Sequence, residues 1–164
     1  MMGGQLSTLT TDETPIVFYP FVLDKTAREK LLRFEQALMH LPPVHLHVDH
    51  HFIDGFYMRV MFIPAGVAVV GHVHMQKCIT KVLQGSILIS DGLSETRVDA
   101  PFTAAVPAGE KKAVYALTNT IWTDCYLNED NERDVEVLEA RLIARDHNDY
   151  LLRTSTANQL ESFK

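Results

Sequence analysis

Little in this chain points to covalent bracing, to a membrane or to nucleic acid. Cysteine occurs only at Cys78 and Cys125 among 164 residues, too few and too far apart for a disulfide framework or a C-x-x-C redox pair. No apolar run approaches the ~20 residues that span a bilayer. The opening Met-Met-Gly-Gly-Gln lacks the charged head and apolar centre of a secretion signal. Basic residues are the minority, 15 Lys and Arg against 21 Asp and Glu, so no concentrated basic stripe offers itself to a phosphate backbone. G-x-S-x-G, P-loop and G-x-G-x-x-G motifs are missing, which removes the usual hydrolase, nucleotide and dinucleotide signatures. Nor is there an internal repeat. These absences lead us to expect a cytoplasmic protein with no nucleic-acid and no membrane partner.

What the chain does carry is a regular alternation of short apolar segments and turn residues. With 46% hydrophobic and 22% charged residues, it reads as an ordinary globular domain long enough to bury a core. Residues 1–14 are rich in Gly, Ser and Thr without periodicity and are expected to be a flexible arm. Residues 15–23 are apolar but interrupted by Pro15 and Pro20, which suits an extended edge segment. Thr26 and Glu29 then make a capping-box pattern. Ala27, Leu31, Phe34, Leu38 and Leu41 recur on one helical face until Pro42 and Pro43 end it.

Residues 44–51 alternate as a half-buried strand does, with His45, His47 and Asp49 on one face. The histidines at 45, 47, 50 and 51 read either as a second metal site or as a solvated strand face. A turn at 52–55 precedes a strong strand at 56–63. Further strands are expected at 67–70, 79–83, 86–90, 95–98, 102–106, 112–117 and 121–127. Turn chemistry separates them at Gln84-Gly85, Asp91-Gly92, Ala100-Pro101, Pro107-Ala108-Gly109 and Thr118-Asn119. Many short strands so punctuated predict an all-β sandwich or barrel, of which the jelly roll is one closure. Residues 130–144 return to helical spacing, with Val135, Leu138, Leu142 and Ile143 inward. The polar residues from Arg145 onward are expected to be a tail or an arm around a neighbour.

The most distinctive stretch is Gly71-His72-Val73-His74-Met75-Gln76-Lys77-Cys78. His72 and His74 are two apart, so on an extended strand they share a face. Cys78 follows closely enough for a soft thiolate to join two imidazoles around one metal. The plainer alternatives are a hydrogen-bonded histidine pair at a strand end and a cysteine acting as a small buried hydrophobe.

Gly66, His72, His74, Cys78 and Gly85 resemble the first motif of the cupin superfamily (G, five residues, H-x-H, three or four residues, E, six residues, G), with Cys78 in place of its glutamate. Pro107-Ala108-Gly109 is similar to the turn of the second cupin motif. There Lys112 stands for the last metal-binding histidine and Ala116 for the asparagine. From about Tyr57 to Ala144 the chain also resembles small single-domain cupin-like proteins of tailed bacteriophages, in which histidines are expected at the positions of Cys78 and Tyr126. The resemblance implies a mainly β, single-domain cupin-type jelly-roll barrel over residues 56–128. An extended segment, helix and first strand (15–55) would precede it, and a helix and tail (129–164) would follow. It also implies a homodimer and, if phage-encoded, the host cytoplasm.

The site residues follow from alternation and from this resemblance. His72, His74 and Cys78 are the candidate ligands of a divalent transition metal, with zinc or iron suiting imidazole and thiolate better than magnesium or calcium. Trp122, Asp124 and Tyr126 share a strand face, opposite Thr123 and Cys125, which puts Tyr126 at the pocket as an acid, a hydrogen-bond donor or a weak ligand. Arg59 shares a face with Tyr57 and Met61. If that face lines the barrel, Arg59 holds a carboxylate or phosphate; if it faces out, it solubilises. Lys112 either pairs with an anionic ligand or with Glu110, or is an exposed turn charge together with Lys111. Tyr126, Lys112 and Arg59 are therefore the candidate catalytic residues. Two functions fit: a metal-dependent isomerase, epimerase or dioxygenase acting on a small polar or anionic molecule, and a non-catalytic cupin module, in a phage setting an accessory protein, that sequesters a small-molecule ligand or contacts a partner.

Overall fold

The structure, a computed structural model, describes residues 17–18 and 24–161. The expected arm over residues 1–14 and most of the 15–23 segment lie outside the described residues. In chain order the elements are β1 (Val17–Phe18), α1 (Lys25–Leu38), β2 (His47–Ile53), β3 (Gly55–Ile63), β4 (Ala68–Val70), β5 (Val73–His74), β6 (Cys78–Gln84), β7 (Ser86–Ser90), β8 (Glu95–Asp99), β9 (Phe102–Val106), β10 (Ala113–Ala116), β11 (Thr120–Asn128), α2 (Val135–Leu142), β12 (Ile143–Ala144) and α3 (His147–Glu161).

Eight strands, β3, β4 and β6 to β11, make two facing sheets. Counted in that order, the first, eighth, third and sixth (β3, β11, β6, β9) are neighbours in one sheet. The second, seventh, fourth and fifth (β4, β10, β7, β8) are neighbours in the other. This interleaving is the double Greek key of a jelly roll, so the mainly β fold expected from the turn pattern is the one that forms. β2 extends the first sheet beyond β3, and β1 extends it beyond β9 in parallel, so residues 17–18 do lie as an extended edge. The tight reversal between β2 and β3 rests on Gly55 at φ 76, a left-handed backbone that glycine adopts without penalty.

The helices depart from expectation in three places. α1 is capped by Asp24, whose carboxylate accepts from the Ala27 amide at 2.9 Å, and not by a Thr26–Glu29 box. Only Ala27 and Leu31 of its apolar face are buried, while Phe34 and Leu41 are exposed. The second helix is shorter than 130–144: Asp134 caps it, and Ile143 already belongs to a strand paired with His74. The polar segment after Arg145 is a helix, not a tail or arm. Arg153 fastens α3 by donating to the carbonyls of Ile143 and Ala140 at 2.9 and 2.7 Å. The strand expected at 44–51 begins only at His47 and runs to Ile53. Among the described residues no helix is long and apolar enough to cross a membrane.

Two apolar clusters fill the barrel. One joins Ile63, Val82, Ile87, Ile89, Val98, Val114, Ala116 and Trp122. The other joins Tyr57, Cys78, Val106 and Tyr126 to Leu138 and Leu142 of α2, so that helix plugs one end of the barrel. Polar residues collect between the two.

Candidate functional site

The histidine segment is held from both sides by backbone bonds. Gly71 N–H donates to the Lys112 carbonyl, His74 N–H to that of Glu110, and Gly109 N–H to that of His74. On its other side His74 pairs with Ile143, and Met75 N–H donates to Leu142. The sequence produces this clamp because Pro107-Ala108-Gly109 turns the chain, with Gly109 at φ 87, and lays residues 109–112 alongside the histidines.

Alternation along β3 and β11 then aims Arg59, Trp122, Asp124 and Tyr126 inward, with Arg59 opposite Asp124 and Tyr57 opposite Tyr126 in register. Arg59, His72, His74, Lys112, Trp122 and Asp124 line a common cavity of about 50 Å³. That is room for a few water-sized atoms and well under the ~300 Å³ at which pockets start to hold drug-sized ligands. Arg59 therefore faces the barrel interior and not solvent. Lys112 is buried, as is Lys111, so neither is an exposed turn charge.

Asp124 is the hub of the cavity wall. Its carboxylate accepts from Thr80 Oγ1 at 2.5 Å and Trp122 Nε1 at 3.0 Å, and Arg59 Nη2 lies 3.4 Å away. Burial pulls Asp124 upward, but the Arg59 guanidinium, the Thr80 hydroxyl and Lys112 act against it and favour the ionised carboxylate. Lys112 Nζ stands 3.3 Å from Glu110 Oε1 and 5.5 Å from the Trp122 ring centroid. Two buried polar atoms here have no partner, Arg59 Nε and Glu110 Oε2. Each is the kind of group that costs free energy unless something else satisfies it.

Behind the cavity, Tyr126 Oη lies 3.1 Å and Cys78 Sγ 3.6 Å from Nδ1 of His74. Burial pushes His74 down to about 4, so the ring is neutral near pH 7. Burial raises Tyr126 well above its usual value, so it stays a phenol. With Tyr126 donating to Nδ1, His74 carries its proton on Nε2, the nitrogen left toward the cavity. Tyr57 extends the arrangement: its ring stacks on Tyr126 with centroids 6.2 Å apart, and its hydroxyl meets His50 Nδ1 at 2.6 Å. His72 sits at the rim, exposed on one side, and burial of the rest of its ring lowers its pKa.

The residues present do not fit a resident transition metal. Cys78 stands behind His74, outside the cavity lining, with its Sγ 3.6 Å from His74 Nδ1. Two cations, Arg59 and Lys112, line the cavity where a metal would concentrate positive charge. Among the described residues no group of three His, Cys, Asp or Glu is arranged to hold an ion, and this includes the histidines of residues 45–51. Of those, His50 turns inward to Tyr57, while His47 Nε2 pairs with Asp49 Oδ1 at 2.9 Å on the exposed face.

The structure thus brings Arg59, His72, His74 and Lys112 together and sets Tyr126 and Cys78 in a layer behind them. Sequence reasoning left Asp124 and Trp122 without a role, although the alternation that nominated Tyr126 places both on the same face.

No family model and no curated protein matches this chain. Among solved structures it is similar to a cupin superfamily protein from Desulfitobacterium hafniense, with 14% identity over 56% of this chain and 84% of that one, TM-score 0.45. It is likewise similar to KdgF from Halomonas sp., with 14% identity, 58% and 88% coverage and TM-score 0.46. Ectoine synthase from P. lautus shares 14% identity over 63% of this chain and 78% of that one, TM-score 0.47. The jelly-roll assignment itself rests on the strand order described above.

Proposed function

We propose that this barrel binds a small anion or polar molecule of a few non-hydrogen atoms between Arg59, His72, His74 and Lys112, without a metal. The observation that carries this reading is the unpartnered Arg59 Nε donor, buried in a residue that lines the cavity. A carboxylate or phosphate oxygen satisfies that donor and gains charge-assisted bonds from the guanidinium and the ammonium. The size of the cavity limits the ligand to something near formate, acetate or phosphate. Calorimetric titration of chelator-treated protein with those three anions tests it. Saturable binding that weakens about tenfold or more in Arg59→Gln is expected, and heat that appears only after zinc or iron is restored would overturn it.

A second reading, proton transfer on the bound molecule as in an isomerase or epimerase, is favoured by the contact between Tyr126 Oη and His74 Nδ1. Tyr126 fixes the neutral His74 ring as its Nε2–H tautomer, so Nε2 donates a hydrogen bond to the oxygen of a carbonyl ligand, and this polarisation eases loss of the ligand's α-proton to water. Deuterium exchange into a small carbonyl acid, lost in Tyr126→Phe while binding persists, is the expected signature. Equal exchange by that variant removes this reading and leaves the binding one.

The reading includes a homodimer. The outer face of the six-stranded sheet exposes Ile53, Phe56, Ile79, Leu83 and Leu127. Register makes them neighbours, Ile53 and Leu127 both opposite Phe56, and Ile79 opposite Cys125. A second copy covers such a patch.

A further inference from the structure

A second cavity, of about 390 Å³, lies outside the barrel where the first two turns of α1 meet the start of α3 and the loop after Gly109. Its volume falls in the range of small-molecule sites, ~300–1,000 Å³. Lys25, Arg28, Lys111 and His147 line it together with Leu32 and Asn148. Two carboxylates also line it: Glu29 stands 3.9 Å from Lys25 within the cleft, and Asp146 accepts from the Asp149 amide at 2.9 Å. Lys111 is held at 2.7 Å by Glu35. Arg28 is different. Its half-buried guanidinium makes no hydrogen bond or ion pair with any described residue. It also lies close enough to His147 to disfavour a proton there, after burial and together with Lys111.

We propose that this cleft is a second ligand site, independent of the barrel, for a small organic anion: a carboxylate or phosphate head on a short apolar body. Arg28 takes the head in its planar fork, with Lys25 and Lys111 supplying charge around it. Leu32 gives the body an apolar surface. The two sites stand back to back. Lys111 and Lys112 are consecutive in an extended segment, so their side chains leave on opposite sides, Lys111 to the cleft and Lys112 to the barrel.

Titration of the 15N-labelled full chain with inorganic phosphate, butyrate and butyl phosphate tests this. Saturable shifts are expected at the Arg28 side-chain N–H and at His147 and Asn148. The two butyl compounds should bind more tightly than inorganic phosphate, and the stronger of the two identifies the head group. Arg28→Gln should raise the dissociation constant about tenfold with spectral dispersion retained. Lys25→Gln serves as a second variant, and Arg59→Gln should leave the cleft shifts in place. Shifts confined to Trp122 and Arg59, shifts that grow without saturating, or unchanged affinity in both cleft variants would overturn the proposal. The first of these outcomes would leave the barrel reading intact.

Discussion

His74 is a base kept neutral by its surroundings, and that has a measurable cost in acid. Its pKa falls from 6.5 to about 4 on folding because the ring is buried, so between those values the unfolded chain holds a proton that the folded chain refuses. Stability is therefore fully present above pH 6.5 and declines as pH falls toward 4, by up to about 3 kcal/mol from this residue. Urea midpoints at pH 7 and 4.5 should differ by less in His74→Gln than in the parent, and an identical drop in both would refute the assignment. The neighbourhood of His74 was half legible in the sequence. The spacing of His72 and His74 and the alternation of residues 122, 124 and 126 were enough to find the wall. They did not show that Cys78 would face Nδ1 from behind, because the position of a side chain four residues on depends on how the chain turns between β5 and β6. The role of Asp124 was hidden for a related reason: its three donors come from Arg59, Thr80 and Trp122, on three different strands.

At the scale of elements, the strands were readable and the helices less so. β7 and β9 begin and end where turn residues and alternation place them, since the period of two is fixed by the pleat. The helix after Arg145 escaped notice because its fastening is polar: the Arg153 fork grips two carbonyls, a bond with no periodicity to detect. α1 buries only two residues, so its apolar stripe overstated its packing. α2 matters most to the site. Leu138 and Leu142 are fully buried against Tyr57, Tyr126 and Cys78, and the chain leaving α2 pairs with His74. Leu138→Ala should cost about 2–5 kcal/mol in denaturant unfolding and loosen the Tyr126 layer. A loss under ~1 kcal/mol, the scale of an ordinary surface change, would show that the helix does not plug the barrel.

The molecule as a whole separates an inner polar cup from an outer apolar sheet face. The outer face predicts association: Phe56→Lys with Leu127→Lys should convert a dimer to a monomer in sedimentation, and a parent protein already monomeric would contradict it. The run of short strands could be anticipated because turns punctuate the chain so regularly, whereas their order in the two sheets could not be read from the turns. The chemistry of the cup could not, because substitutions at Cys78 and Lys112 leave the barrel standing while changing what it holds. Trp122 is the sole tryptophan, and it lies on the cavity wall between Lys112 and Asp124, so its fluorescence reports on this cavity alone. Titrating metal-stripped protein with acetate while following that emission is the most direct measurement of the central claim. A saturable change, weakened about tenfold or more by Arg59→Gln, is the predicted result. Emission that stays constant until zinc or iron is supplied would contradict it.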